Sequence, residues 1–230
     1  MVSSNRGYAS LASRFSYKRS PEPLHFPVEH NVPESKRHLK LRTLLYQIFE
    51  HALSDRACLG SEQVVYWNAA NPKKSLAPDV FVRLGSPDVV FDSWKTWKRG
   101  TPDLAVEIVS DSDSGEAEFE SNLARYRELG IRELVRFEPD AAVGQQLRIW
   151  DRIQEDLVER QLDGNRIESR TLGLWWVVLA DAELQGQLRL SEDAEGLQLL
   201  PTAAEAELRA RASAEARIAE LEAELRRRGG

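Results

Sequence analysis

Apolar positions change period along the chain. After Pro33, Leu41, Leu44, Leu45, Ile48 and Phe49 recur at spacings of three and four, which predicts an amphipathic helix with one buried stripe. The run Q-V-V-Y-W-N at 63–68 is β-branched and aromatic and is bounded by Gly60 and by Asn71-Pro72, so it reads as a strand. A further strand is expected at 79–83. The stretch 104–109 is apolar apart from Glu107, the pattern of a central strand covered on both faces. Helical spacing returns at 116–129 and stops at Gly130, well placed just past a helix end. With a strand at 133–137 the order is strand, helix, strand, which implies a right-handed crossover and parallel pairing. Antiparallel strands are expected at 146–150, 156–161 and 166–168, with Gly164-Asn165 as a hairpin turn. The L-W-W-V-V-L-A run at 174–180 reads as core.

These patterns divide the chain into an irregular N-terminal arm (1–33), a mixed α/β domain (34–200) and a charged helix (201–230). Pro21, Pro23, Pro27 and Pro33 fix φ and deny donors, which makes the arm irregular; its Arg6, Arg14, Lys18 and Arg19 belong to a solvated tail or touch phosphate. In the last segment Ala214, Ile218, Leu221 and Leu225 follow four-three-four spacing within charged sequence. Such a narrow seam suits a partner helix from a second copy, hence a homodimer, or a surface helix.

With 230 residues, 42% of them hydrophobic, the chain can bury a substantial core. A formal charge of −6 excludes a broadly basic nucleic-acid surface and confines any such contact to a cleft. The single Cys58 cannot form an internal disulfide, and no secretory leader pattern opens the sequence, so a cytoplasmic setting fits. No apolar run approaches the length of a membrane span.

The clearest chemical signal is a pair of acids inside apolar strands, Asp79 and Glu107. Burying a carboxylate without a partner costs several kcal/mol. Each therefore calls for a metal ion, a base or a strand end open to water; Arg125 and Arg136 are candidate ion-pair partners for Glu107. Asp103 lies four residues before Glu107, about 13 Å away along a strand at ~3.3 Å per residue, too far to share an ion. Ser110, Asp111, Ser112 and Asp113 suit a turn and helix cap. Trp94, Lys95, Trp97, Lys98 and Arg99, in the polar connection 85–102, could stack bases and hold phosphate, or cap the core with the lysines in water. The four histidines, His25, His30, His38 and His51, lack the spacing of a metal-ligand set; His38 and His51 read as surface or core positions of the first helix.

The ordered set L-A-P-D-V-F-V at 76–82, S-W-K-T-W at 93–97, P-D-L-A-V-E-I-V-S at 102–110, N-L-A-R-Y-R-E-L-G-I-R-E-L at 122–134 and Glu138-Pro139 resembles the Uma2 family over roughly residues 35–175. The resemblance implies a restriction-endonuclease-like mixed β-sheet flanked by helices, here with an extra C-terminal helix, and a variant of the PD-(D/E)xK nuclease signature. It implies Mg²⁺ (or Mn²⁺) held by Asp79 and Glu107, 28 positions apart (107 minus 79), and nucleic acid, DNA by preference, as substrate. A first-helix acid, Glu34 or Glu50, can join such a site or simply face solvent.

The signature's lysine is missing. Val109 stands two residues past Glu107, and the helical position four before Tyr126, where the family usually carries lysine, is Asn122; an acid slightly earlier matches Glu118. Asparagine brings no charge, and losing such a group commonly costs about 10² to 10⁴ in rate. Arg125 or Arg99 could substitute electrostatically, although arginine cannot act as a base. Two readings follow: a Mg²⁺-dependent endonuclease, and a catalytically impaired relative that binds nucleic acid or a protein partner.

Overall fold

The computed structural model describes residues 24–27, 35–109, 116–162 and 164–228. Most of the arm, with Arg6, Arg14, Lys18, Arg19, His30 and Glu34, lies outside them, as does the turn expected at Ser110, Asp111, Ser112 and Asp113. Among the described residues the elements run α1 (Lys36–Leu53), β1 (Ala57–Gly60), β2 (Val65–Tyr66), β3 (Ser75–Leu76), β4 (Val80–Leu84), β5 (Trp94–Lys95), α2 (Thr96–Arg99), β6 (Leu104–Ile108), α3 (Glu116–Leu129), β7 (Glu133–Phe137), β8 (Leu147–Ile153), β9 (Asp156–Glu159), β10 (Arg166–Ser169), β11 (Leu174–Leu179), β12 (Gln187–Ser191) and α4 (Ala203–Arg228).

A mixed sheet in the order β1-β4-β6-β7-β8-β9 forms the centre. β6 and β7 pair in parallel around the α3 crossover, and the other neighbours are antiparallel. Gly130 ends α3 at φ +87°, a conformation open to glycine, and donates its N–H to Tyr126 O at 3.1 Å. Ser35 opens α1 by accepting the backbone N–H of His38 at 3.1 Å.

Even and odd strand positions feed two cores. On one face Leu41, Leu45, Ile48 and Phe49 of α1 meet Val80, Val106 and Val135 and the inner residues of a second sheet, β10-β11-β12, including fully buried Trp176. The other face carries Phe81, Ala105 and Leu134 under Phe119, Leu123 and Tyr126 of α3, with the small sheet β3-β2-β5 alongside. β6 thus lies between two apolar layers, as its composition requires.

Gly60 faces Phe81 across the β1–β4 pair, and a Cβ there would sit 2.1 Å from the phenyl ring. The aromatic ring occupies the space that the missing side chain leaves.

The hairpin expected around Gly164-Asn165 does not form. β9 folds back on β8, with Ile153 opposite Asp156 and Gln154 at φ +57°, whereas β10 pairs with β11 in the other sheet. β9 buries little beyond Leu157, but β11 supplies a continuous apolar partner, so packing assigns β10 to the second sheet. Trp94 is fully buried, as a core cap would be; Trp97 is 41% exposed and packs on Phe26.

Thr202 and Glu205 open α4 as a reciprocal capping box, Thr202 N donating to Glu205 Oε2 (2.8 Å) and Glu205 N to Thr202 Oγ1 (3.2 Å). Beyond that first turn Ile218, Leu221 and Leu225 are exposed. No helix of the described residues is long and apolar enough to cross a membrane.

Candidate active site

β4 and β6 are antiparallel, with Val82 opposite Leu104 and Val80 opposite Val106. One step further along this register puts Asp79 opposite Glu107. Glu107 shares the α3 side with Ala105, two residues before it on the strand, and Asp79, at the strand end, reaches both Ile108 of β6 and His38 of α1. Asp79 is buried, and its Oδ2 accepts the backbone N–H of Ile108 at 2.6 Å. The side chain thereby extends the contact between the two strands by one residue before β4 begins. Nε2 of His38, from the first turn of α1, lies 2.9 Å from Oδ1, an electrostatic contact off the hydrogen-bond axis.

Glu107 is half-buried and accepts the hydroxyl proton of Tyr126 through Oε1. Burial, followed by the charges of Glu107 and Asp79, pushes the Tyr126 phenol well above its ordinary value, so it remains a donor.

A pocket of about 70 Å³ opens beside Glu107, lined by Ile108, Val109, Glu118, Phe119, Asn122 and Arg136. Glu107, Glu118 and Asn122 are therefore brought together, with Asp79 adjoining through Ile108. Asn122 accepts from Arg125 Nη1 at 3.4 Å, and Arg125 also donates to Ser75 O. Arg99 stacks on Phe91 and Trp94 at 5.4 and 5.6 Å. Neither Arg125 nor Arg99 lines the pocket.

The remaining candidates lie elsewhere. Glu50 is exposed and belongs to a separate groove with Tyr46 and Asp88. Asp103 marks the opposite end of β6, where it accepts Leu84 N at 2.9 Å and pairs with Arg83 and Arg132. His25 and His51 are exposed. Sequence reasoning passed over His38, and met Tyr126 only as a landmark in the helical motif.

Among the described residues no group of three or more His, Cys, Asp or Glu side chains is placed to hold a metal ion. The two-carboxylate arrangement of Asp79 and Glu107 still fits Mg²⁺, which is bound by one or two carboxylates together with waters and substrate phosphate oxygens. It does not fit a closed tetrahedral zinc site, which needs four protein ligands.

Residues 28–183 match the family model Uma2, described as "Putative restriction endonuclease". No curated protein matches the chain. A solved structure titled as that of "a putative nuclease belonging to DUF820" from Anabaena variabilis ATCC 29413 is similar at 15% identity and a TM-score of 0.44, over 61% of this chain and 75% of that one.

Proposed function

We propose that this chain, which belongs to the Uma2 family, is a Mg²⁺-dependent endonuclease that hydrolyses phosphodiester bonds of nucleic acid, with Asp79 and Glu107 as the metal carboxylates. The observation that carries the reading is the β4–β6 pairing with the Ile108 N–H on Asp79, which brings the two acids to one sheet end beside a polar pocket. An ion held there supplies Lewis-acid stabilisation of the phosphate and a more acidic bound water.

The protein's own groups set the geometry. Tyr126 fixes the Glu107 carboxylate by donating its hydroxyl proton, while the Ile108 N–H and His38 hold the two oxygens of Asp79. Asn122 offers a neutral amide to water or a phosphate oxygen at the pocket wall, and Glu118 adds a carboxylate at the rim.

The residues from 34 to 200 would form the catalytic unit, with 201–230 appended as an assembly helix. The exposed Ile218, Leu221 and Leu225 of α4 support a homodimer through that helix. Sedimentation of the chain with and without 203–230 tests this.

A second reading has one observation in its favour: Asn122, at the pocket wall, is uncharged where the signature carries lysine. On that reading the fold binds nucleic acid or a protein partner without efficient cleavage. Metal-dependent cleavage that disappears in Glu107→Ala selects the first reading; binding without cleavage selects the second.

A further inference from the structure

The sheet carries a row of charges that crosses three strands on its α3 face. Outward from Asp79, just before β4, and Glu107 on β6, the register places Arg136 of β7 opposite Glu107, and Arg148 of β8 opposite Arg136. Residues paired in this way point to one face, so Glu107 is followed by two arginines. Arg136 is the one that lines the pocket with Glu107 and Asn122.

Its surroundings are unusual for a cation. Arg136 is only 6% exposed, and its guanidinium lies 3.9 Å from the centroid of the Phe119 ring. Its ion-pair partner is Glu138, 2.8 Å from Nε, yet the Nε–H is buried and not aligned with any acceptor among the described residues. A buried cation with a misaligned donor is a costly arrangement. An anion entering the pocket offsets that cost, and a guanidinium fork matches the two non-bridging oxygens of a phosphodiester.

We propose that Arg136 is a phosphate-binding residue of this site, supplying from strand β7 the positive charge that Asn122 leaves out of helix α3. The inference rests on the nuclease reading above and gives the phosphodiester its place: beside Glu107, against the Phe119-backed guanidinium. Arg136 binds and neutralises, and it is not the base, since arginine keeps its proton. The Phe119 stack holds the guanidinium plane, leaving little side-chain entropy to be lost on binding.

The test is fluorescence anisotropy of labelled single-stranded DNA and RNA oligonucleotides of one sequence, with Ca²⁺ and separately with chelator, across a salt series. Arg136→Met is expected to lower affinity about tenfold and to reduce the slope of log affinity against log salt by about one. Arg136→Lys is expected to keep the slope while losing part of the affinity. Glu138→Gln, which removes the competing anion, is expected to bind more tightly, an outcome that misfolding does not produce.

Unchanged affinity and slope in Arg136→Met, or unchanged or weaker binding by Glu138→Gln, overturns the proposal. The metal reading fails separately: the Arg136 effect persists in chelator even if Glu107→Ala leaves cleavage untouched. An unaltered chain that binds neither oligonucleotide overturns both.

Discussion

His38 Nε2 stands 2.9 Å from Oδ1 of Asp79, although 41 positions (79 minus 38) separate the two residues. The start of α1 therefore reaches the end of the β4–β6 pair and meets Asp79. With Ile108 N–H on the other oxygen, the carboxylate is held from both sides. Groups that orient metal ligands commonly contribute 10- to 100-fold in affinity or activity.

His38→Leu is accordingly expected to weaken Mn²⁺ binding by about tenfold or more, while His38→Gln, which keeps a polar group at similar reach, stays within a few-fold of the unaltered chain. Calorimetry on the two variants separates positioning from packing, because both fill the same space. Equal losses in the two would point to packing alone.

Tyr126 makes the matching contact with Glu107. Tyr126→Phe leaves the ring in place and removes the donor, and about a tenfold loss of cleavage at limiting metal is expected. The same variant has a signature in stability. The folded-state phenol titrates well above its ordinary value, so the unfolded chain loses its proton first as pH rises. Its stabilising contribution is thus present below about pH 10 and declines above it. Denaturant titrations at pH 9 and 11 should show a smaller alkaline loss for the phenylalanine variant.

Asn122→Lys restores the charge at the pocket wall beside Glu107 and Glu118. A gain of at least about tenfold in metal-dependent cleavage is expected, part of the 10² to 10⁴ that such a group commonly supplies. Single-turnover assays at saturating metal check it. No gain in a folded, metal-binding variant would mean that charge at this position does not act on the reaction.

Glu133 anchors the second sheet to the first. It is fully buried, accepts from Trp176 Nε1 at 3.2 Å and from Thr171 N at 3.0 Å, and lies 3.9 Å from Arg160. Glu133→Ala strands these donors, and a loss of about 3–5 kcal/mol is expected from chemical denaturation. Activity at low temperature should change far less than stability.

The sequence pattern located β4, β6, α3 and β7 because each carries enough apolar residues in one period to be recognised alone, and Gly130 punctuates the helix end. β1, β3 and β5 are two to four residues long and mostly buried, with no alternation to read. β10 reads as a partner of β9 from proximity in sequence, yet it pairs with β11, since apolar packing outweighs a short turn signal. Asp79, Glu107 and Asn122 were legible as motif positions. His38 was not, because a histidine in a first helical turn looks like any surface residue until the tertiary fold brings Asp79 to it. Arg136 could be read only as an ion-pair partner for Glu107; its place in the pocket depends on a cross-strand register and on the Phe119 ring, neither of which is local.

Asp79 and Glu107 are expected to act together as a metal-dependent cleavage site. The most direct measurement is Mg²⁺- or Mn²⁺-dependent cleavage of plasmid DNA and single-stranded substrates by the purified chain, with Glu107→Ala prepared in parallel. Cleavage by the unaltered chain that is lost in the variant is the expected result. Cleavage that survives in Glu107→Ala, or a folded chain that cuts nothing with either metal, would contradict it.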